Sequence, residues 1–153
     1  MEHELYRQIV DDASDAIVVA DAAGTISYWN TGAEALFGHA SGEAVGQSLD
    51  LIIPEPQRAR HWDGYQRVMA TGTSKYGQTL LAVPALHRDG RRLSIEFKVV
   101  LLRAPDGVVR GIAAIIRDVT EHWQEDRAVR RRLRELEDDV ARLRNPDGPP
   151  APS

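Results

Sequence analysis

The stretch TISYWNTGAEALFG, residues 25–38, decides the fold. Thr25 to Trp29 are mostly β-branched and aromatic, which suits a strand. Asn30 follows at the strand end, where its side chain can bond the backbone and start a helix. A short helical piece is expected around Gly32–Phe37, and Gly38 breaks it directly after the bulky anchor Phe37. Upstream, the run Ala16 to Ala20 (AIVVA) and the turn signal Asp21–Gly24 complete a hairpin with residues 25–29. Further upstream, residues 3–12 read as a short helix with Leu5, Ile9 and Val10 on its apolar face.

Downstream, a second short helical piece spans Ser41–Val45 and stops at Gly46. The apolar residues 49–53 (LDLII) stop at Pro54. A longer helix is expected from about Glu55 to Ala70, with Gly72 placed for a left-handed cap. Three strand signals follow. The first is 76–86, interrupted by Pro84. The second is 92–102, where Leu93, Ile95, Phe97, Val99 and Leu101 alternate. The third is 108–116. Turns at Arg88-Asp89-Gly90 and Pro105-Asp106-Gly107 separate them. Strands grouped at both ends with helices between predict an α+β fold: a five-stranded antiparallel sheet covered on one face by helices. The expected organisation is an N-terminal helix (1–12), a domain (13–120), a C-terminal helix (121–145) and a disordered tail (146–153).

Composition narrows the function. The 153 residues are one domain's worth, 42% hydrophobic and 27% charged, with a net charge of -4. An acidic chain offers no general basic surface for nucleic acid. The absence of cysteine excludes a disulfide framework, cysteine-ligated zinc and a cysteine nucleophile. No apolar run reaches the length of a membrane span. No basic segment precedes an apolar one at the start, so a cytoplasmic protein is expected. There is no glycine-rich nucleotide loop, no HEXXH and no recognisable nucleophile–base pair, so no enzyme activity is expected.

An ordered set of motifs resembles the PAS domains. Tyr28-Trp29-Asn30 with Ala33-Glu34 and Leu36-Phe37-Gly38 resembles their opening motif. Gly46-Gln47 to Leu51, then Ile53-Pro54, resembles the next segment. Arg88-Asp89-Gly90 resembles their central hairpin. Arg117-Asp118-Val119-Thr120 resembles their exit motif. The resemblance covers about residues 5–120. It implies a sensor and dimerisation module, with a pocket between the sheet and the longer helix and signal relay through Asp118 and Thr120. It also implies a linked or partner kinase or transcription regulator.

The long helix, PEPQRARHWDGYQRVMATG (54–72), is similar to the helix carrying the axial histidine in haem-based oxygen sensors of the FixL type. That resemblance implies a haem b site with His61 as iron ligand, Arg67 at a propionate, and Tyr65, Leu81, Phe97 and Val99 around the group. Leu81 stands where those sensors carry an oxygen-gating arginine, so the distal side would be apolar. Independently of the resemblance, His61, Tyr65, Val68 and Met69 share one helical face. Neutral imidazole is a normal axial ligand for haem iron. The alternative is a partly buried His61 that bonds a neighbour in a cofactor-free core, with Trp29, Trp62, Tyr65 and Tyr76 as plain packing. Flavin–cysteinyl chemistry is excluded, because there is no cysteine.

At the C-terminal end, Val129, Leu133, Leu136, Val140 and Leu143 repeat at coiled-coil spacing. With Leu133 and Val140 at a, the g and e positions pair Glu125 with Arg130, Arg132 with Glu137, and Asp139 with Arg144. All three join opposite signs only in a parallel dimer. A homodimer through this helix is therefore expected. The arginines between 127 and 134 are balanced by the acids that follow. Two readings remain open: a sensor dimer with a ligand or haem near His61, and a cofactor-free interaction module.

Overall fold

The computed structural model describes residues 2–73 and 81–144, with the backbone alone at Leu81 and 122–124. The order of elements is α1 (Glu2–Asp12), β1 (Ala16–Asp21), β2 (Ile26–Trp29), α2 (Thr31–Phe37), α3 (Ser41–Ala44), a 3-10 turn (Leu49–Leu51), α4 (Glu55–Thr71), β3 (Leu81–Leu86), β4 (Arg92–Arg103), β5 (Val109–Asp118) and α5 (Thr120–Arg144). The five strands form one antiparallel sheet in the order β2-β1-β5-β4-β3. The α+β fold read from the sequence is the observed one. The described part of the first late strand begins at Leu81. The rest of that expected strand, and the expected tail at 146–153, lie outside the described residues. Pro84 lies within β3 opposite Ser94. An edge strand accepts proline because one of its sides needs no ladder donor.

One core joins the sheet to the helices. Val18 and Ala20 of β1, Trp29 of β2, Leu93 and Ile95 of β4 and Ile116 of β5 meet Phe37, Ala44, Leu49, Ile52 and Tyr65. The alternation on β4 behaves as its pattern requires. Leu93 and Ile95 are buried and Phe97 and Val99 are half-buried, whereas Val100 and Leu102 on the other face are exposed.

Asn30 is the buried polar residue inside this core, 2% exposed. Its side-chain oxygen accepts from Ala33 N at 2.9 Å, capping α2, and from Ile17 N at 2.8 Å on β1. Its amide donates to Val10 O at 2.8 Å and to Asp15 O at 3.1 Å. One side chain thus ties α1, β1 and α2 together. A second tie holds α1, since the Tyr28 hydroxyl donates to the Asp11 carboxylate. Burial first, and that carboxylate second, push the Tyr28 hydroxyl up to about 12. The bond therefore persists across the ordinary pH range.

The chain divides into two compact units, the first ending at Val119 and the second beginning at Thr120. The described part of the second is the helix α5. Among the described residues, no helix is long and apolar enough to cross a membrane.

Asn30→Ala removes a helix cap and leaves buried donors and acceptors unpaired. The expected loss is about 3 kcal/mol, read as a lower urea midpoint. Asn30→Asp keeps both accepted bonds but turns an acceptor toward the Val10 and Asp15 carbonyls, so it should also lower the midpoint. An unchanged midpoint in the alanine variant would remove Asn30 from the centre of the fold.

Candidate functional site

Helix α4 is punctuated at both ends. Pro54 precedes it and Pro56 lies in its first turn, where a missing N–H costs nothing. Gly72 closes it in the left-handed conformation (φ 68°), its N–H donating to Val68 O. Arg58 braces the first turn by donating from Nε to Ile53 O at 3.0 Å. It also forms an ion pair with Asp50 at 3.8 Å.

The core-facing side of α4 carries three stacked rings. The His61 centroid lies 4.8 Å from Trp62, edge to face, and 5.7 Å from Tyr65. Trp62 and Tyr65 are themselves 5.4 Å apart. Both are anchored at their polar ends. Trp62 Nε1 donates to Asp50 Oδ1 at 2.7 Å. The Tyr65 hydroxyl donates to Asp21 O at the end of β1. The β1–β2 turn is shaped to receive the indole. A Cβ on Gly24 would come within 2.2 Å of the Trp62 ring, and Gly24 has φ 84°. No other residue keeps both the turn and the ring in place.

His61 is half-buried, and its Nδ1 is sealed without a hydrogen-bond partner. Burial lowers its pKa below the ordinary 6.5, partly opposed by the negative charge of Asp50. The ring is therefore neutral at pH 7, with an uncommitted nitrogen.

The residues expected around the site separate on the structure. His61, Tyr65, Val68 and Met69 do share a face: Tyr65 is buried and the other three are half-buried. Tyr65 belongs to the core, and Met69 and Phe97 pack against it. Val99 is half-buried two residues further along β4, opposite Ala114. Arg67 is exposed. At about 100° per residue it sits roughly 120° around α4 from His61. Leu81 opens β3 opposite Phe97, and its side chain lies outside the described residues. Asp118 ends β5 exposed, and Thr120 opens α5 half-buried. Between them, Val119 N donates to Ser94 O on β4 at 2.8 Å. The helical seam from Val129 to Leu143 is exposed at every position, from 44% at Leu136 to 81% at Leu143. Sequence reasoning missed Gly24, Asp21, Asp50 and Gln57. The first three act on α4 across 12 to 44 residues.

A family model of the PAS fold matches residues 4–119. The chain belongs to the PAS family. This is a family of sensory modules, and two relatives set the PAS domain in longer proteins. Sensor protein FixL of Bradyrhizobium diazoefficiens is 30% identical over 137 residues, covering 90% of this chain and 26% of that protein. An uncharacterized protein of Azorhizobium caulinodans is 36% identical over 126 residues, covering 82% of this chain and 17% of that protein. The chain thus spans about a quarter or less of either relative. Among solved structures, the PAS domain of a Colwellia psychrerythraea protein superposes with a TM-score of 0.70 at 26% identity, over 79% of this chain and 99% of that one. A sensory box histidine kinase/response regulator from Burkholderia thailandensis gives 0.62 at 18% identity, over 86% and 97%. At that identity the likeness shows the PAS fold alone.

A neutral buried histidine makes stability depend on pH with a definite sign. The folded pKa of His61 lies below the unfolded value, so its contribution is complete above pH about 6.5 and declines as the pH falls below it. His39, whose pKa burial also lowers, adds to the same slope. Urea midpoints at about pH 7.5 and about pH 5 should therefore differ less in His61→Gln than in the parent. Equal differences would mean that His61 is not held neutral by burial.

Proposed function

We propose that this PAS domain is a homodimeric sensory input module that reads its signal at His61 and passes it through Asp118 and Thr120 into α5. One observation carries the reading: His61 is a neutral imidazole on the core side of α4, and among the described residues its buried Nδ1 has no hydrogen-bond partner. An unpaired buried polar atom costs on the order of 1–3 kcal/mol, so this position calls for a partner that satisfies the ring.

The donor set fits haem b better than a bare metal ion. Among the described residues no group of three or more His, Cys, Asp or Glu could hold an ion. Haem would carry most of its iron's ligands with it, which suits a lone histidine. His61 would hold the iron, Tyr65, Met69 and Phe97 would pack against the group, and Arg67 would be the cation available to its carboxylates. Haem supplies an iron centre that takes up a diatomic gas or changes redox state. The chain's part is to orient His61 between Trp62 and Tyr65 and to exclude water from its Nδ1. The likeness to FixL over 90% of the chain supports the same choice.

The output is conformational. In this reading a displacement of β4 or β5 would reach α5 through Val119, whose N–H is bonded to Ser94 O on β4. The α5 seam has its apolar side chains exposed, which supports pairing with a second copy in parallel. Within one helix Arg132 already bonds Glu135 at 3.2 Å, and Asp139 bonds Arg142. Two of the three g–e′ pairs would therefore exchange partners on association and choose orientation more than they add affinity. A partner kinase or transcription regulator in the cytoplasm would take up the signal.

The second reading is a cofactor-free interaction module. The anchoring of Trp62 to Asp50 and of Tyr65 to Asp21 favours it, since side chains then occupy the space beneath α4.

Expression with haem precursor should give a Soret band that is lost or shifted in His61→Ala. A featureless visible spectrum after haemin titration would exclude haem and leave the cofactor-free reading. Leu136→Asp should convert a dimer to a monomer in light scattering, and an unchanged mass would sink pairing through α5.

A further inference from the structure

Two buried side-chain polar atoms among the described residues lack any hydrogen-bond partner: Gln57 Oε1 and His61 Nδ1. They lie one helical turn apart on α4, at the i, i+4 spacing that makes side chains neighbours. Each alone is costly, and one bond between them removes both costs.

Their chemistry is complementary. A glutamine oxygen only accepts, and its terminal torsion is broad, so it can turn toward a donor at little cost. A neutral imidazole carries one proton, on either nitrogen, and can donate only from the nitrogen that holds it. Asp50, the charged group that His61 feels, is already engaged by Trp62 Nε1 and Arg58. Gln57 has no such competitor.

We infer that Gln57 is the positioning residue for His61: His61 Nδ1–H donates to Gln57 Oε1, and Nε2 is left as the unprotonated nitrogen available to a ligand. The bond made by one ring nitrogen sets the state of the other. An Nε2 with a free lone pair takes a Lewis-acidic centre or a hydrogen-bond donor. It repels a carbonyl, a carboxylate or any other pure acceptor. The occupant class named here rests on His61 being the sensing residue; the tautomer itself does not.

The test is made on the full, ligand-free chain labelled with 15N at histidine. Two-bond proton–nitrogen correlation at about pH 8, where histidine is neutral, reads which nitrogen carries the proton. The His61 signals are those missing from His61→Ala. The parent should show the Nδ1–H form. Gln57→Leu, which removes the acceptor, should move the proton to Nε2. Gln57→Glu, which keeps an acceptor at that place, should retain Nδ1–H. A parent already in the Nε2–H form, or an Nδ1–H form that survives in Gln57→Leu, would overturn the inference. The outcome is independent of haem. A missing Soret band would sink the haem reading and leave the tautomer result standing, and a wrong tautomer would leave the Soret band untouched.

Discussion

A single buried amide organises the N-terminal half of this PAS domain. Asn30 uses its oxygen on Ile17 and Ala33 and its nitrogen on Val10 and Asp15. The need behind this is backbone accounting. A strand ends, a helix begins and an earlier helix arrives at the same buried place, and each leaves main-chain groups that water cannot reach. A carboxamide carries both an acceptor and a donor, so it can serve all three. Helix α1 depends on it most. It buries no side chain of its own. It is held to the body by the Val10 contact, the Tyr28–Asp11 bond and its packing against α2.

Most of the fold was legible because its signals are local. Asn30 at a strand end, Gly38 and Gly72 at helix ends, and alternation along 92–102 act within a few residues, and the structure places all of them as read. The shared face of His61, Tyr65, Val68 and Met69 also followed from helical spacing alone. The environment of that face was not legible. The indole of Trp62 finds its acceptor twelve residues upstream at Asp50, and Tyr65 reaches forty-four residues back to Asp21. Gly24 looked like turn chemistry, yet its lack of a side chain also makes room for the Trp62 ring. Such contacts depend on how the turn and α4 meet, and no spacing rule encodes that. Gln57 was overlooked for a different reason. A glutamine in a first helical turn looks like a solvated residue until its oxygen is found buried.

The site and the seam in α5 belong to different parts of the chain, and different forces shape them. Around His61, aromatic packing and a few directed hydrogen bonds fix the rings. Along α5, the apolar side chains are presented with nothing fixed around them, and local ion pairs settle only the helix surface. The first arrangement holds its side chains in place, and the second leaves apolar side chains exposed.

The proline in β3 has a consequence for how copies of the domain can meet. The strand order leaves β3 and β2 at the two margins of the sheet. An unpaired strand margin is normally a template on which another chain can crystallise as a further strand. Pro84 interrupts the row of donors on one margin, and β2, at four residues, is too short to offer much of a row on the other. Growth by strand addition is blunted at both ends. A further chain meeting this sheet edge-on would find few free donors among the described residues.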